Sequence, residues 1–86
     1  MIEVKKKNQQ DFVVTVEEKG TRTEHNVTLD EEYWRDLTQG RITEEELIKR
    51  SFEFLLERES KESILAKFNM RIIKKYFPEF EREIRT

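Results

Sequence analysis

The stretch Ile42–Glu59, ITEEELIKRSFEFLLERE, carries the most complete local instructions in the chain, and any fold has to accommodate it as a helix. Thr43 stands three residues before Glu46, the spacing of a capping box in which the threonine hydroxyl accepts from the Glu46 N–H and the Glu46 side chain reaches back. Ile42 and Leu47 flank that cap as a hydrophobic staple, fixing the angle of chain entry. Glu44, Glu45 and Glu46 occupy the positive end of the helix dipole, and Arg58 lies near the negative end.

At 100° per residue the apolar positions from Leu47 to Leu56 cover an arc of roughly 200°, wider than the stripe of an ordinary surface helix. Such a helix must be covered on more than one side. Phe52 and Leu56 sit at the far edge of the arc and are expected to be left over, as a self-association surface. The competing expectation is that Ile73, Phe77 and Phe80 fold back over them. The polar strip of Lys49, Arg50, Glu53 and Glu57 has the i,i+4 spacing of solvated pairs, not of a catalytic set.

With 86 residues the chain makes one domain, 1–86, near the size at which a single core is marginal without a partner. The sequence has no cysteine and one histidine, which removes disulfides, thiol catalysis, cysteine-ligated zinc and a histidine-rich metal site. No cofactor is expected. No apolar run reaches the length of a signal peptide or a membrane span, so the expectation is a soluble, cytoplasmic protein with no membrane partner. Charged residues make up 42% of the chain, yet branched and aromatic residues recur throughout, which indicates an ion-paired surface and not disorder. The charge is uneven: Met1–Leu29 is neutral, Asp30–Glu59 carries −5 and Ser60–Thr86 carries +3, so the chain offers complementary patches to itself or to a second copy.

Ahead of the central helix the pattern is that of strands. Ile2 and Val4 alternate with charged residues in an edge strand over Ile2–Lys6, followed by a turn at Asn8-Gln9-Gln10. From Asp11 to Glu18, Phe12, Val14 and Val16 share one face. Glu18-Lys19-Gly20-Thr21 is a tight turn that needs positive φ at Gly20, and a second strand spans Thr21–Leu29. Counting outward pairs Glu17 with Arg22, Val16 with Thr23, Val14 with His25 and Phe12 with Val27. His25 therefore faces the apolar side, where a neutral ring bonded to backbone or to a tyrosine is expected, not a metal ligand.

Thr28 and Glu31 have capping-box spacing and open a predicted helix over Asp30–Gln39 that buries Tyr33, Trp34 and Leu37 and stops at Gly40. After the central helix, Ser60 is expected to cap a third helix with Ile64, Leu65 and Phe68 inward, and Asn69 a fourth carrying Met70, Ile73, Tyr76 and Phe77. Phe77-Pro78 breaks the chain, and Pro78 starts a last short helix with Phe80 and Ile84 inside. The predicted fold is α+β: an N-terminal β-hairpin, with Ile2–Lys6 as an optional third strand, packed on a four- to five-helix cluster.

Chemistry is scarce. Gly20 and Gly40 are the only glycines, so there is no phosphate-cradling loop. Carboxylate pairs such as Glu53 and Glu57 lie on solvated faces with nothing apolar around them to raise a pKa. Ser51 has no assignable base and reads as a small residue that permits close helix approach. Lys67, Arg71, Lys74 and Lys75 form one basic stripe only if the third and fourth helices are continuous.

Thr21–Glu59 has the order strand, helix, turn, helix, with GRITEEELI where that family turns into its second helix, and so resembles a ribbon-helix-helix repressor. That resemblance implies a DNA-binding regulator or antitoxin. Two departures stand against it: the first helix is short, and Phe12–Val16 offers the strand a partner in its own chain, whereas the family pairs this strand across a dimer. The stretch from Val27 to Ile84, through SFEFLLERE, KESIL and YFPE in that order, is similar to a family of short prokaryotic proteins of unassigned function. It implies no ligand and no catalytic residue. The leading expectation is a non-catalytic protein–protein interaction module, not an enzyme, acting on a protein partner or on itself as a homodimer.

Overall fold

The computed structural model describes residues 1–85. Three strands, β1 (Ile2–Lys6), β2 (Asp11–Glu18) and β3 (Thr21–Thr28), form an antiparallel meander. A fourth, β4 (Lys67–Asn69), returns from late in the chain to lie parallel to β3, giving a mixed sheet in the order β1-β2-β3-β4. The β2–β3 turn holds Lys19 at φ 55° and Gly20 at φ 80°. Positive φ at both central residues defines the two-residue hairpin turn whose twist matches that of the flanking strands. Its register pairs Glu17 with Arg22, Val16 with Thr23, Val14 with His25 and Phe12 with Val27, as the alternation predicts. On the other side Val4 pairs with Val14 and Ile2 with Val16, so the third strand forms and extends the same apolar face.

Helix α1 (Glu31–Thr38) and helix α2 (Glu44–Leu56) cover that face. The Thr43 side chain accepts from the Glu46 N–H at 3.0 Å, as the local spacing requires, but the Glu46 carboxylate pairs with Arg50 at 3.1 Å and not with the Thr43 N–H, so the cap forms without its return bond. Against α2 the sheet contributes fully buried Phe12, Val14 and Val16, and Ser51 is buried with its hydroxyl donating 2.8 Å to the Leu47 carbonyl. The carboxyl-terminal segment then wraps the rest of the helix. Arg58 stacks 3.6 Å over the Phe54 ring and donates to Glu79 and Glu83, which fastens α4 (Phe80–Ile84) to the end of α2. Phe80 and Phe77 meet Phe54 edge-on at 5.1 and 5.9 Å. Among the described residues no helix is long and apolar enough to cross a membrane.

Several local expectations give way to tertiary contacts. The predicted third helix is a single 3₁₀ turn, Lys61–Ser63, after which the chain runs extended into β4. Asn69 does act as a cap, accepting from the Arg71 N–H at 2.9 Å, but it opens a 3₁₀ turn (Met70–Ile72) running into a one-turn helix α3 (Ile73–Tyr76). The helical part thus has two helices of substance and two short ones, at the lower end of the expected four to five.

The cap of α1 is Asp30, which accepts from the Tyr33 N–H at 2.8 Å; Thr28 is the last residue of β3 and donates to Asp11. Gln39 adopts the left-handed conformation that ends α1, one residue before Gly40. Trp34 is half-buried and not part of the deep core, its indole N–H donating 2.9 Å to the Ile42 carbonyl across the turn between the helices. Pro78 lies in the turn before α4 and is not its first residue.

β3 is hydrogen-bonded to β2 along its whole length and to β4 over Asn26–Thr28. In a ribbon-helix-helix dimer this strand pairs with its copy, whereas here both partners of Asn26–Thr28 belong to the same chain.

Candidate functional site

Because the segment after α2 is extended, a groove opens between it and the last helices. The chain from Ile64 to Asn69 is held to the sheet at several points. Asn26 N–H donates to the Ala66 carbonyl at 2.8 Å, and the His25 ring meets the Leu65 carbonyl through Nδ1, also at 2.8 Å. A carbonyl only accepts, so Nδ1 carries the proton, and Nε2 accepts from the Thr23 hydroxyl at 2.9 Å. His25 is 2% exposed, satisfied at both nitrogens, and tilted against Phe52 at 5.3 Å. The expected bonding to backbone is therefore observed, and the acceptor is the rim of the groove.

The groove encloses about 170 Å³. Leu55 of α2 and Phe68 of β4 form its floor, and Ile64, Leu65, Ile72 and Phe77 its walls. Only Glu59, Ser63 and Tyr76 bring polar side chains to it. Leu65 and Tyr76 are 46% and 63% exposed and, with Met1, are the large apolar residues that the described surface leaves open. A volume of this size lies below the several hundred Å³ typical of small-molecule pockets. It suits one or two apolar side chains of a peptide. The three sequence motifs meet there, SFEFLLERE through Leu55 and Glu59, KESIL through Ser63, Ile64 and Leu65, and YFPE through Tyr76 and Phe77.

The residues singled out from sequence lie elsewhere or apart. Phe52 is not left over: it is fully buried, between His25 and the Phe68 ring 6.0 Å away, so it presents no surface to a second copy. Phe77 and Phe80 do fold back, but onto Phe54. Leu56 is half-buried at the edge of a second, more polar concavity with Met1, Ile2, Lys49 and Glu53.

The basic stripe is dispersed because the helix that would align it does not form. Lys67 is exposed on β4 and Lys75 on α3, neither with an ion-pair partner among the described residues. Arg71 chelates Asp30 at 2.7 and 3.0 Å and lies over the Tyr33 ring, and Lys74 approaches Glu81 at 3.4 Å. The hydrogen bonds from Arg71 hold the Asp30 carboxyl below its ordinary pKa. Burial and the bond from its hydroxyl to Glu81 push the Tyr33 phenol well above the usual range. Arg71 thereby ties the carboxyl-terminal segment to the start of α1, while the Lys74–Glu81 pair lies within that segment.

Sequence reasoning missed the groove residues Leu65, Ile72 and Tyr76, because helical periodicity turns Leu65 inward, whereas the chain there is extended. Among the described residues no group of three histidine or carboxylate side chains is placed to hold a metal ion. No family model, curated protein or solved structure matches the chain.

Proposed function

We propose that this chain is a small non-catalytic interaction module that receives a short apolar segment of a partner protein in the groove between β4 and α3. One observation carries the reading: Leu65 and Tyr76, large apolar residues held exposed, flank a preformed apolar groove. Exposed apolar surface concentrated around a concavity is the ordinary mark of a docking site, and an aromatic residue at its rim is a frequent energetic anchor.

Peptide display selected on the wild type tests this. Enriched peptides are expected to carry two closely spaced large apolar residues. Their affinity should fall by about tenfold or more in Leu65→Glu and in Tyr76→Ala, with the melting temperature nearly unchanged because both side chains are largely exposed. Amide chemical shifts on binding should move at Leu65, Ile72 and Phe77. Binders that ignore both substitutions, or shifts confined to another face, would overturn the proposal. A gel-shift titration on mixed genomic DNA at two salt concentrations addresses the alternative regulator reading: micromolar binding that weakens steeply with salt would favour it.

A further inference from the structure

The opposite edge of the sheet has a pattern of its own. The Met1 ammonium donates to the Glu17 carbonyl at 2.7 Å, Glu17 N–H donates to the Met1 carbonyl at 2.9 Å, and Lys7 N–H donates to the Asp11 carbonyl at 2.8 Å. Antiparallel ladders alternate between pairs that exchange hydrogen bonds and pairs that do not. With Glu3 opposite Thr15 and Lys5 opposite Val13, the inward-bonding positions of β1 are therefore 1, 3, 5 and 7. Ile2, Val4 and Lys6 point their N–H and C=O groups outward. Among the described residues no strand covers them, so β1 is an open edge along its whole length, whereas the other edge is split between β4 and the start of β3.

An open edge of this kind is a template for another strand, and natural edges are usually blunted by lysines or distortion. Lys5, Lys6 and Lys7 do that against most partners. One partner escapes it. If a second copy of β1 approaches antiparallel about a two-fold axis at Val4, the outward groups of Val4 bond their own equivalents, and those of Ile2 bond Lys6 of the copy. Glu3 then lies directly opposite Lys5 of the copy, and Lys5 opposite Glu3, as the closely spaced pairs of the new ladder. Sliding the copy by two residues one way sets Glu3 against Glu3; the other way sets Lys5 against Lys5 while Glu3 meets Lys7, so only the register centred on Val4 juxtaposes no like-charged side chains. The charges thus favour a single register. Glu3 and Lys5 are exposed on the sheet face opposite the helices, and among the described residues neither has an ion-pair partner. Ile2 and Val4, half-buried on the other face, gain cover, and at Ile2 they adjoin the concavity that holds Met1 and Leu56.

We infer that β1 is a self-complementary edge through which two copies of this chain join into one continuous eight-stranded sheet. The groove lies beyond β4, at the other edge, so a dimer built this way presents two grooves facing outward. The inference goes beyond the groove reading and does not depend on it.

Sedimentation velocity over ~10–500 µM, a range suited to a small interface, provides the test. Wild type is expected to shift from monomer toward dimer with rising concentration, less so at high salt, where exposed charge pairs are screened. Glu3→Lys and Lys5→Glu each convert both attractive pairs to repulsive ones, and each should raise the dissociation constant by about tenfold or more. Mixed in equal amounts the two variants are complementary again, and association should return as a heterodimer. The Glu3→Lys, Lys5→Glu double variant should self-associate like wild type, and Leu65→Glu should leave association unchanged. Wild type that remains monomeric throughout, single variants that associate as wild type does, or a mixture that does not recover would overturn the inference.

Discussion

Replacing Phe52 by alanine is the most direct test of how α2 packs, because burial in the core and exposure at a dimer surface predict opposite behaviour for that residue. In the structure its side chain is 0% exposed and lies between His25 at 5.3 Å and Phe68 at 6.0 Å. A buried phenylalanine removes ~200 Å² from water, which at ~25 cal/mol per Å² gives an upper bound near 5 kcal/mol. Truncations of this kind are measured at about 3–5 kcal/mol, the spread reflecting how far the cavity collapses.

Collapse is limited at this position, since the cavity would be walled by the sheet on one side and by α2 on the other. The loss should therefore lie in the upper half of that range, against a total stability of ~4–13 kcal/mol for a domain of this length. Urea unfolding followed by Trp34 fluorescence and by circular dichroism measures it, with the midpoint falling and the slope unchanged. Phe52→Leu, which keeps most of the volume, should cost less than about 1.5 kcal/mol. If Phe52→Ala costs below about 1 kcal/mol and instead alters sedimentation, the residue belongs to an intermolecular surface and the packing argument fails.

Substituting Asp30 by asparagine keeps an N-cap acceptor for Tyr33 but removes the chelated ion pair with Arg71, a solvent-screened interaction whose loss should lower stability only modestly. The folded carboxyl titrates below its unfolded value, so its contribution is complete above the unfolded pKa and is lost as pH falls through the folded one. The stability gap between wild type and Asp30→Asn should be constant near neutrality and narrow as the pH falls through and below the ordinary carboxyl range; a gap that does not narrow in acid would contradict it. His25→Phe keeps the ring volume but leaves the Leu65 carbonyl without its donor, at a cost of about 1–3 kcal/mol. Amide exchange at Asn26, whose N–H is bonded to the Ala66 carbonyl, should accelerate, and unchanged exchange would show that the histidine does not hold the rim.

Sequence alone determined whatever a few neighbouring residues can decide. The Thr43–Glu46 cap, the Lys19-Gly20 turn, the strand alternation and hence the β2–β3 register depend on contacts spanning four residues or on a period of two, and all are observed. The same local logic failed wherever a distant partner offered more. Thr28 has the spacing of a cap, but β2 holds it in the strand through Asp11, and Asp30 takes its place. Ile64, Leu65 and Phe68 have helical spacing, yet the open edge of β3 binds the segment through Asn26 and His25, residues some forty positions earlier. A short isolated helix is marginal in water, whereas an unsatisfied strand edge inside a fold is costly, so the extended form prevails. That choice turned Leu65 outward, dispersed the basic stripe, closed Phe52 into the core and opened the groove. None of these lies in any one segment, because each depends on which sheet edge the last third of the chain reaches.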